Sequence, residues 1–254
     1  MTLKNKIISS NKLKNRISLN KKFQKFDFIN WQKTKYSTII NKFNLKKDNL
    51  KILDLGCGTG PQIKLFLKIL KKPKIIAVDL SKDSLLTAKK NIKSGQIKYI
   101  NKDIDYFIKD KVPEFDIIHS SYAFYYSKNP KKLIQDCFEK LNKGGCIIIS
   151  CPDKKHDMVE LVSKIGSVQK SILDTLKLYE KTLLNFSIKN KSKIKKIFYR
   201  KINNILFKKF DDFLQFWMNT TYYDKKIVKT IEVNFNNGKK KFQKGTVIFA
   251  IKKL

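Results

Sequence analysis

The chain has 254 residues, room for one large domain or two small ones, and its 42% hydrophobic and 30% charged residues exclude a disordered chain. No apolar run approaches the ~18 residues of a membrane-spanning helix, and the basic N-terminus lacks the apolar stretch of a secretory signal. The net charge of +35 raises nucleic acid or an anionic surface as a partner, yet Arg16 and Arg200 are the only arginines, and Lys lacks the fork that reads phosphates and base edges.

Residues 1–50 read as a basic N-terminal helical segment, and residues 1–26, which contain no acid, imitate a transit peptide in charge but not in their preference for Lys over Arg. From residue 51 short β-branched runs alternate with amphipathic stretches. Lys51 to Leu55 reads as a buried strand, followed by a glycine-rich turn at 56–60. Pro61 suits the first position of a helix reaching about Leu70. Lys74 to Asp79 is a second strand, and Ser81 is placed to cap a helix through about Ile92. Ile97 to Ile100 and Phe115 to Ser120 are the third and fourth strands. Pro130 opens a helix to Leu141, and Gly144-Gly145 separates it from a fifth strand, Cys146 to Ser150. Such alternation with short connections implies a parallel sheet covered on both faces, with ligands at the carboxyl ends of its strands.

Beyond residue 150 the pattern changes. Met158, Leu161, Val162, Ile165, Val168, Ile172, Leu176, Tyr179 and Leu183 recur three or four apart and predict one long helix. A Lys-rich helical stretch follows, ending in the aromatic group Phe213, Phe216, Trp217, Tyr222 and Tyr223. Ile227 to Phe235 and Thr246 to Ile251, separated by Asn236-Asn237-Gly238, read as an antiparallel hairpin.

The segment Ile52-Leu-Asp-Leu-Gly-Cys-Gly-Thr-Gly60 places three glycines at alternate positions, which lets the backbone approach a ligand and turn into a helix. Asp54 ends the strand and can accept from an ammonium group. Asp79 ends the second strand 19 residues after the last glycine and suits the two hydroxyls of a ribose. Asp103, after the third strand, can accept from an adenine amino group, with Ile104 against the ring. The third glycine comes one residue too early for the nicotinamide fingerprint. These residues resemble the class I S-adenosylmethionine-dependent methyltransferases, above all the group acting on small molecules, over residues 51–151 and the closing hairpin.

The resemblance implies an α/β fold: a doubly wound, mostly parallel seven-stranded Rossmann-like sheet with a C-terminal antiparallel hairpin and a helical insertion before it. It implies a methyltransferase domain over 51–254, with a helical cap insertion at about 155–223 to which residues 1–50 contribute. It implies S-adenosyl-L-methionine held by Asp54, Gly56, Cys57, Gly58, Thr59, Gly60, Asp79, Leu80, Asp103, Ile104 and Ser120. The acceptor is expected to be a small molecule, bound by Trp31, Tyr36, Tyr125, Tyr126, Trp217 and Tyr222. His156, His119 and Tyr125 are the candidates for a base, each with ordinary packing as the competing explanation.

The Asn/Asp-Pro-Pro-Tyr signature of exocyclic-amine methyltransferases is absent, His119-Ser-Ser-Tyr122 standing in its place. Cys151-Pro152 reverses the Pro-Cys pair of cytosine C5 enzymes. RNA or protein acceptors are therefore the second reading, and a non-catalytic cofactor-binding subunit the third. The four cysteines form no Cys-x-x-Cys pair and the two histidines, His119 and His156, have no metal-ligand spacing, so no metal is expected and a reducing, cytoplasmic setting is.

Overall fold

Burial alternates along the central strands and sets the layers. In β1 (Lys51–Leu55) Leu53 and Leu55 enter one core and Ile52 enters another on the opposite face, as the period of two requires of a strand covered on both sides. The same alternation continues through β2 (Lys74–Asp79), β3 (Ile97–Asn101), β4 (Phe115–Ser121) and β5 (Leu141–His156). The computed structural model describes residues 10–24, 26–166 and 168–254. Residues 1–9 of the basic N-terminal segment lie outside the described residues.

Seven strands form one sheet in the order β3-β2-β1-β4-β5-β7-β6, where β6 is Ile194–Leu206 and β7 is Lys241–Lys253. The pairs from β3 to β5 are parallel, and β7 runs antiparallel to both β5 and β6. The order therefore turns back between β1 and β4, and the crevice at their carboxyl ends is where a doubly wound sheet receives its ligands.

Helices α1 (Ser10–Phe23), α2 (Phe28–Lys42), α3 (Pro61–Ile69) and α4 (Lys82–Asn91) precede β3. Asp27 accepts from the Asn30 N–H at the start of α2, Pro61 begins α3, and Ser81 caps α4 through the Ser84 N–H. On one face Tyr36, Ile39 and Ile40 of α2 and Ile63 and Phe66 of α3 pack against Ile52, Ile75, Ile117 and Ile148. A one-turn helix α5 (Ile104–Phe107) and α6 (Pro130–Glu139), the latter capped by Asn129, cover the other face.

The C-terminal third departs from expectation in three ways. The long helix predicted over 158–183 is broken at Gly166 into α7 (Asp157–Ile165), α8 (Lys170–Leu176), a π-helical turn Tyr179–Leu184 and α9 (Asn185–Lys189). The Lys-rich stretch expected to be helical is β6, so the insertion expected at 155–223 is split by a strand. Lys is what an edge strand tolerates, because it deters pairing with another chain, and thirteen register pairs with β7 outweigh its helical propensity. Ile227 to Phe235, expected as the first hairpin strand, is helical, Ile227 closing a 3-10 turn (Lys225–Ile227) and the rest lying in α11 (Val228–Asn236); β6 is the partner of β7. The buried residues Ile231 and Phe235 are four apart, a helical spacing that β-branched content concealed.

Together with α10 (Phe210–Met218), α11 is threaded between β6 and β7. Their apolar faces meet α1 and α7 in a third core containing Leu19, Met158, Phe207, Phe213, Trp217, Ile231, Phe235 and Phe242. No helix among the described residues is long and apolar enough to cross a membrane.

Candidate active site

Where β1 ends, the chain turns through Gly56, Gly58 and Gly60, all with positive φ. A side chain at Gly56 would place its Cβ 2.1 Å from Ala123 Cβ, and one at Gly60 would meet Ile92 Cδ1 at 2.5 Å. Glycine is needed twice over, for conformation and for space. The N–H groups of Gly56 and Cys57 donate to Val78 O, which ties the loop to β2.

Asp79 completes the loop. Its Oδ2 accepts from the Gly58 N–H at 2.7 Å and its Oδ1 from the Ser81 N–H at 2.8 Å. Burial pushes the Asp79 carboxyl above the usual carboxylate range, against the pull of these two bonds. Asn101 donates its amide to the Asp79 and Leu80 carbonyls and so fixes the turn after β2. Thr59 and Leu80 are half-buried beside it. Asp103 caps α5 by accepting from the Asp105 N–H, while Ile104 is buried in the core. Cys57 is also buried, and burial raises its thiol well above the ordinary range, so it is not a nucleophile at neutral pH.

Parallel register brings Asp54 beside His119. His119 Nδ1 lies 2.7 Å from Asp54 Oδ1, and its Nε2 lies 2.8 Å from the Tyr36 hydroxyl. Tyr36 is also within 3.0 Å of Ser150 Oγ, and Gln32 Nε2 reaches Tyr36, Ser121 and Ser150 at 3.0–3.1 Å. All of Gln32, Tyr36, Asp54, His119 and Ser150 are 0–1% exposed. Asp54 Oδ2 is buried with no hydrogen-bond partner among the described residues.

A cavity of about 780 Å³ opens beyond the carboxyl ends of β4 and β5. Tyr122, Tyr125 and Tyr126 from the loop after β4 line it, with Pro152 and His156 of β5, Phe216 and Tyr222 from the segment between β6 and β7, and Leu19 and Asn20 of α1. Lys128, Lys131, Lys181 and Lys244 are also in its walls. Tyr122 has φ +56 and hydrogen bonds through its hydroxyl to Thr246 at 2.6 Å. His156 and Lys244 are register partners on β5 and β7, so both project from the same face of the sheet, and the His156 ring meets Tyr222 edge-on at 5.6 Å.

The structure sorts the predicted residues unevenly. Asp54, Gly56, Cys57, Gly58, Thr59, Gly60, Asp79 and Leu80 gather at one loop. Ser120, expected at the cofactor, is buried and donates its hydroxyl to Leu55 O, tying β4 to β1 instead. His156, Tyr125, Tyr126 and Tyr222 meet in the cavity, whereas His119 is sealed in the sheet, because strand alternation points it at α2.

Tyr36 and Trp217, expected at the acceptor, are wholly buried. Tyr36 stacks on Phe66, and Trp217 donates its indole N–H to Tyr222 O within the third core. Trp31 is half-buried against Phe26 and Phe28, away from the cavity wall. Sequence reasoning missed Gln32, Tyr122, Ala123 and Lys244. Tyr122 and Ala123 carried a signal, since they directly follow the fourth strand; Lys244 carried none, because its place depends on the β5–β7 register.

The residues fit a cofactor built from adenosine and an amino acid. The bare glycine backbone admits close approach, the Asp79 oxygens keep lone pairs for ribose hydroxyls, and the unpartnered Asp54 oxygen suits an ammonium. The fold and this loop define a class I S-adenosylmethionine-dependent methyltransferase. A family model described as a methyltransferase domain matches residues 46–205, well over half the chain, and the chain belongs to that family.

Among curated relatives, a malonyl-[acyl-carrier protein] O-methyltransferase of Halalkalibacterium halodurans is 32% identical over 127 residues, which are 47% of this chain and 47% of that protein. The chain thus spans less than half the length of the curated relatives it matches. The plantazolicin methyltransferase BpumL, solved with S-adenosylhomocysteine, shares the fold with TM-score 0.54 at 17% identity, covering 96% of this chain and 90% of that one. The YcgJ protein of Bacillus subtilis shares it with TM-score 0.54 at 15% identity, covering 85% and 97%.

Proposed function

We propose that this chain methylates a small acceptor held in the cavity beyond β4 and β5. The observation that carries the reading is the continuity of residues 122–126: Ala123 packs on Gly56 of the glycine loop, while Tyr122, Tyr125 and Tyr126 line the cavity wall. One loop therefore joins the cofactor region to the acceptor region. Asp54, the segment 56–60, Asp79, Leu80, Asp103 and Ile104 hold the cofactor in this reading. When bound, S-adenosylmethionine supplies a methyl group on a sulfonium centre, open to in-line displacement by an O, N or C nucleophile. The chain's own contribution is to align that nucleophile, exclude water and take its proton where it has one.

His156 is the better-supported base, because its ring lies in the cavity wall, and the Tyr125 phenol is the alternative. Aromatic walls suit an acceptor with a ring or apolar body. Lys128, Lys131 and Lys244 favour one that also carries a carboxylate or phosphate. The segment 1–50 and the insertions around β6 act as the acceptor cap, in keeping with Leu19 and Asn20 in the wall. A cytoplasmic location belongs to the same reading, supported by four cysteines that are buried and free.

The test is calorimetric titration with S-adenosylmethionine and S-adenosylhomocysteine in moderate salt, beside Asp79→Ala. Micromolar binding abolished by the substitution is the expected result, and absence of binding to either ligand overturns the reading. S-adenosylhomocysteine release is then followed with a panel of small acids and with RNA. Turnover of RNA alone transfers the assignment to the nucleic-acid alternative.

A further inference from the structure

We propose that His119, Tyr36 and Gln32 are positioning residues that hold Asp54 toward the ammonium group of the cofactor's amino-acid tail. This deepens the cofactor site of the preceding subsection and rests on that reading.

Asp54 is 1% exposed, and of its two carboxylate oxygens Oδ1 is bound by His119 while Oδ2 is buried without a hydrogen-bond partner among the described residues. A buried carboxylate with one bare oxygen is costly unless a cation or donor completes it. Asp54 stands two residues before the first loop glycine, at the carboxyl end of β1, where the cofactor's amino-acid end would lie.

What fixes the carboxylate is a relay reaching away from the loop. Gln32 Nε2 donates to the Tyr36 hydroxyl, which also contacts Ser150 Oγ and His119 Nε2, and His119 Nδ1 completes the chain at Asp54 Oδ1. Gln32 also accepts from Gln62 Nε2 at 3.1 Å, in the first turn of α3. Phe66 and Tyr36 pack edge-on against the His119 ring at 5.1 and 5.3 Å, which fixes its plane. Five elements, α2, α3, β1, β4 and β5, are thus keyed to the orientation of one carboxylate.

A network that merely fastened α2 to the sheet would stabilise every ligand of the loop alike. A positioning network acts on ligands that carry the ammonium. S-adenosylhomocysteine has it; 5′-methylthioadenosine shares the adenosine and thioether but lacks the amino-acid tail. Calorimetric titrations of wild type, His119→Phe and Tyr36→Phe with both ligands separate the cases, with near-ultraviolet circular dichroism monitoring the fold.

The expected result is about a tenfold or greater loss of S-adenosylhomocysteine affinity in His119→Phe, a smaller loss in Tyr36→Phe, and methylthioadenosine affinity within about twofold of wild type in both. Equal losses for the two ligands, or no loss for either, overturn the proposal and leave the cofactor reading standing. Wild type binding neither ligand overturns both. Should His119→Phe fail to fold, Tyr36→Phe, which deletes one oxygen, still decides the matter.

Discussion

Gly56 and Ala123 meet so closely that a methyl added to the glycine would stand 2.1 Å from the alanine Cβ. Gly56 also has φ +73, where a side chain is strained whatever the space. Gly56→Ala must therefore push apart the glycine loop and the loop after β4. We expect a loss of about 2–4 kcal/mol in stability, from overpacking and left-handed strain together, and loss of S-adenosylhomocysteine binding. Urea unfolding and calorimetry check the two parts. Ala123→Gly in the same background should restore some of the stability, because it removes the colliding atom.

The aromatic residues of the third core act through packing. Phe213 is 0% exposed and contacts Phe207, Phe210, Trp217, Phe235 and Phe242. Phe213→Ala should cost about 3–5 kcal/mol, measured by urea unfolding. Trp217→Phe should lower stability while leaving the KM for an acceptor within about twofold, since the indole is not in the cavity wall. A large selective rise in KM would show that Trp217 touches the acceptor after all.

Asp157 makes stability depend on acid. Burial pushes its carboxyl up, but hydrogen bonds from Lys239, the Gln243 N–H and Lys155 outweigh that and hold it below the usual carboxylate range. For a lowered value, the contribution is fully present above the unfolded value near 4 and is lost as pH falls through the folded one. Asp157→Asn should therefore cost about 1–2 kcal/mol at pH 7, the exposure of both lysines limiting the figure. It should also flatten the loss of stability toward pH 3. Thermal unfolding of both proteins across pH 3–7 measures it.

Asp79 has the opposite sign. Its value is raised, chiefly by burial, so its contribution to the free protein is greatest below the unfolded value and declines as pH rises through the folded one. Asp79→Ala should abolish cofactor binding while removing that decline, seen as a flatter profile of thermal stability against pH in the absence of ligand.

Within the cavity, His156→Gln should lower the rate of methyl transfer by about 10²–10⁴-fold if the imidazole takes the acceptor's proton, with S-adenosylhomocysteine affinity unchanged. Single-turnover measurement on any acceptor found by screening provides the check. A rate within twofold of wild type would move the role to Tyr125.

Residues 51–151 were legible because their information is local. A strand buried on both faces reads as an apolar run, Pro61 and Ser81 mark helix starts, and a turn of alternate glycines permits few backbones. The family and its cofactor follow from that stretch. The sequence by itself also marked Tyr125 and Tyr126 in the loop after β4, both in the cavity wall, but not Tyr122 beside them.

Tertiary structure alone decided the rest. Whether Ile194–Leu206 is helix or strand depends on pairing with β7, some 50 residues on, and no local propensity encodes that partner. Lysine reads as helical in isolation and serves as edge protection once the strand has a neighbour. His119 was legible as a candidate base with core packing as the competing explanation; strand alternation and the packing of α2 decided for the core, where it is the partner of Asp54. Tyr36 and Trp217 went from expected acceptor contacts to core because helices bury whichever aromatic face their neighbours cover. Conversely, His156 and Lys244, 88 positions apart, became neighbours only through the antiparallel register of β5 and β7.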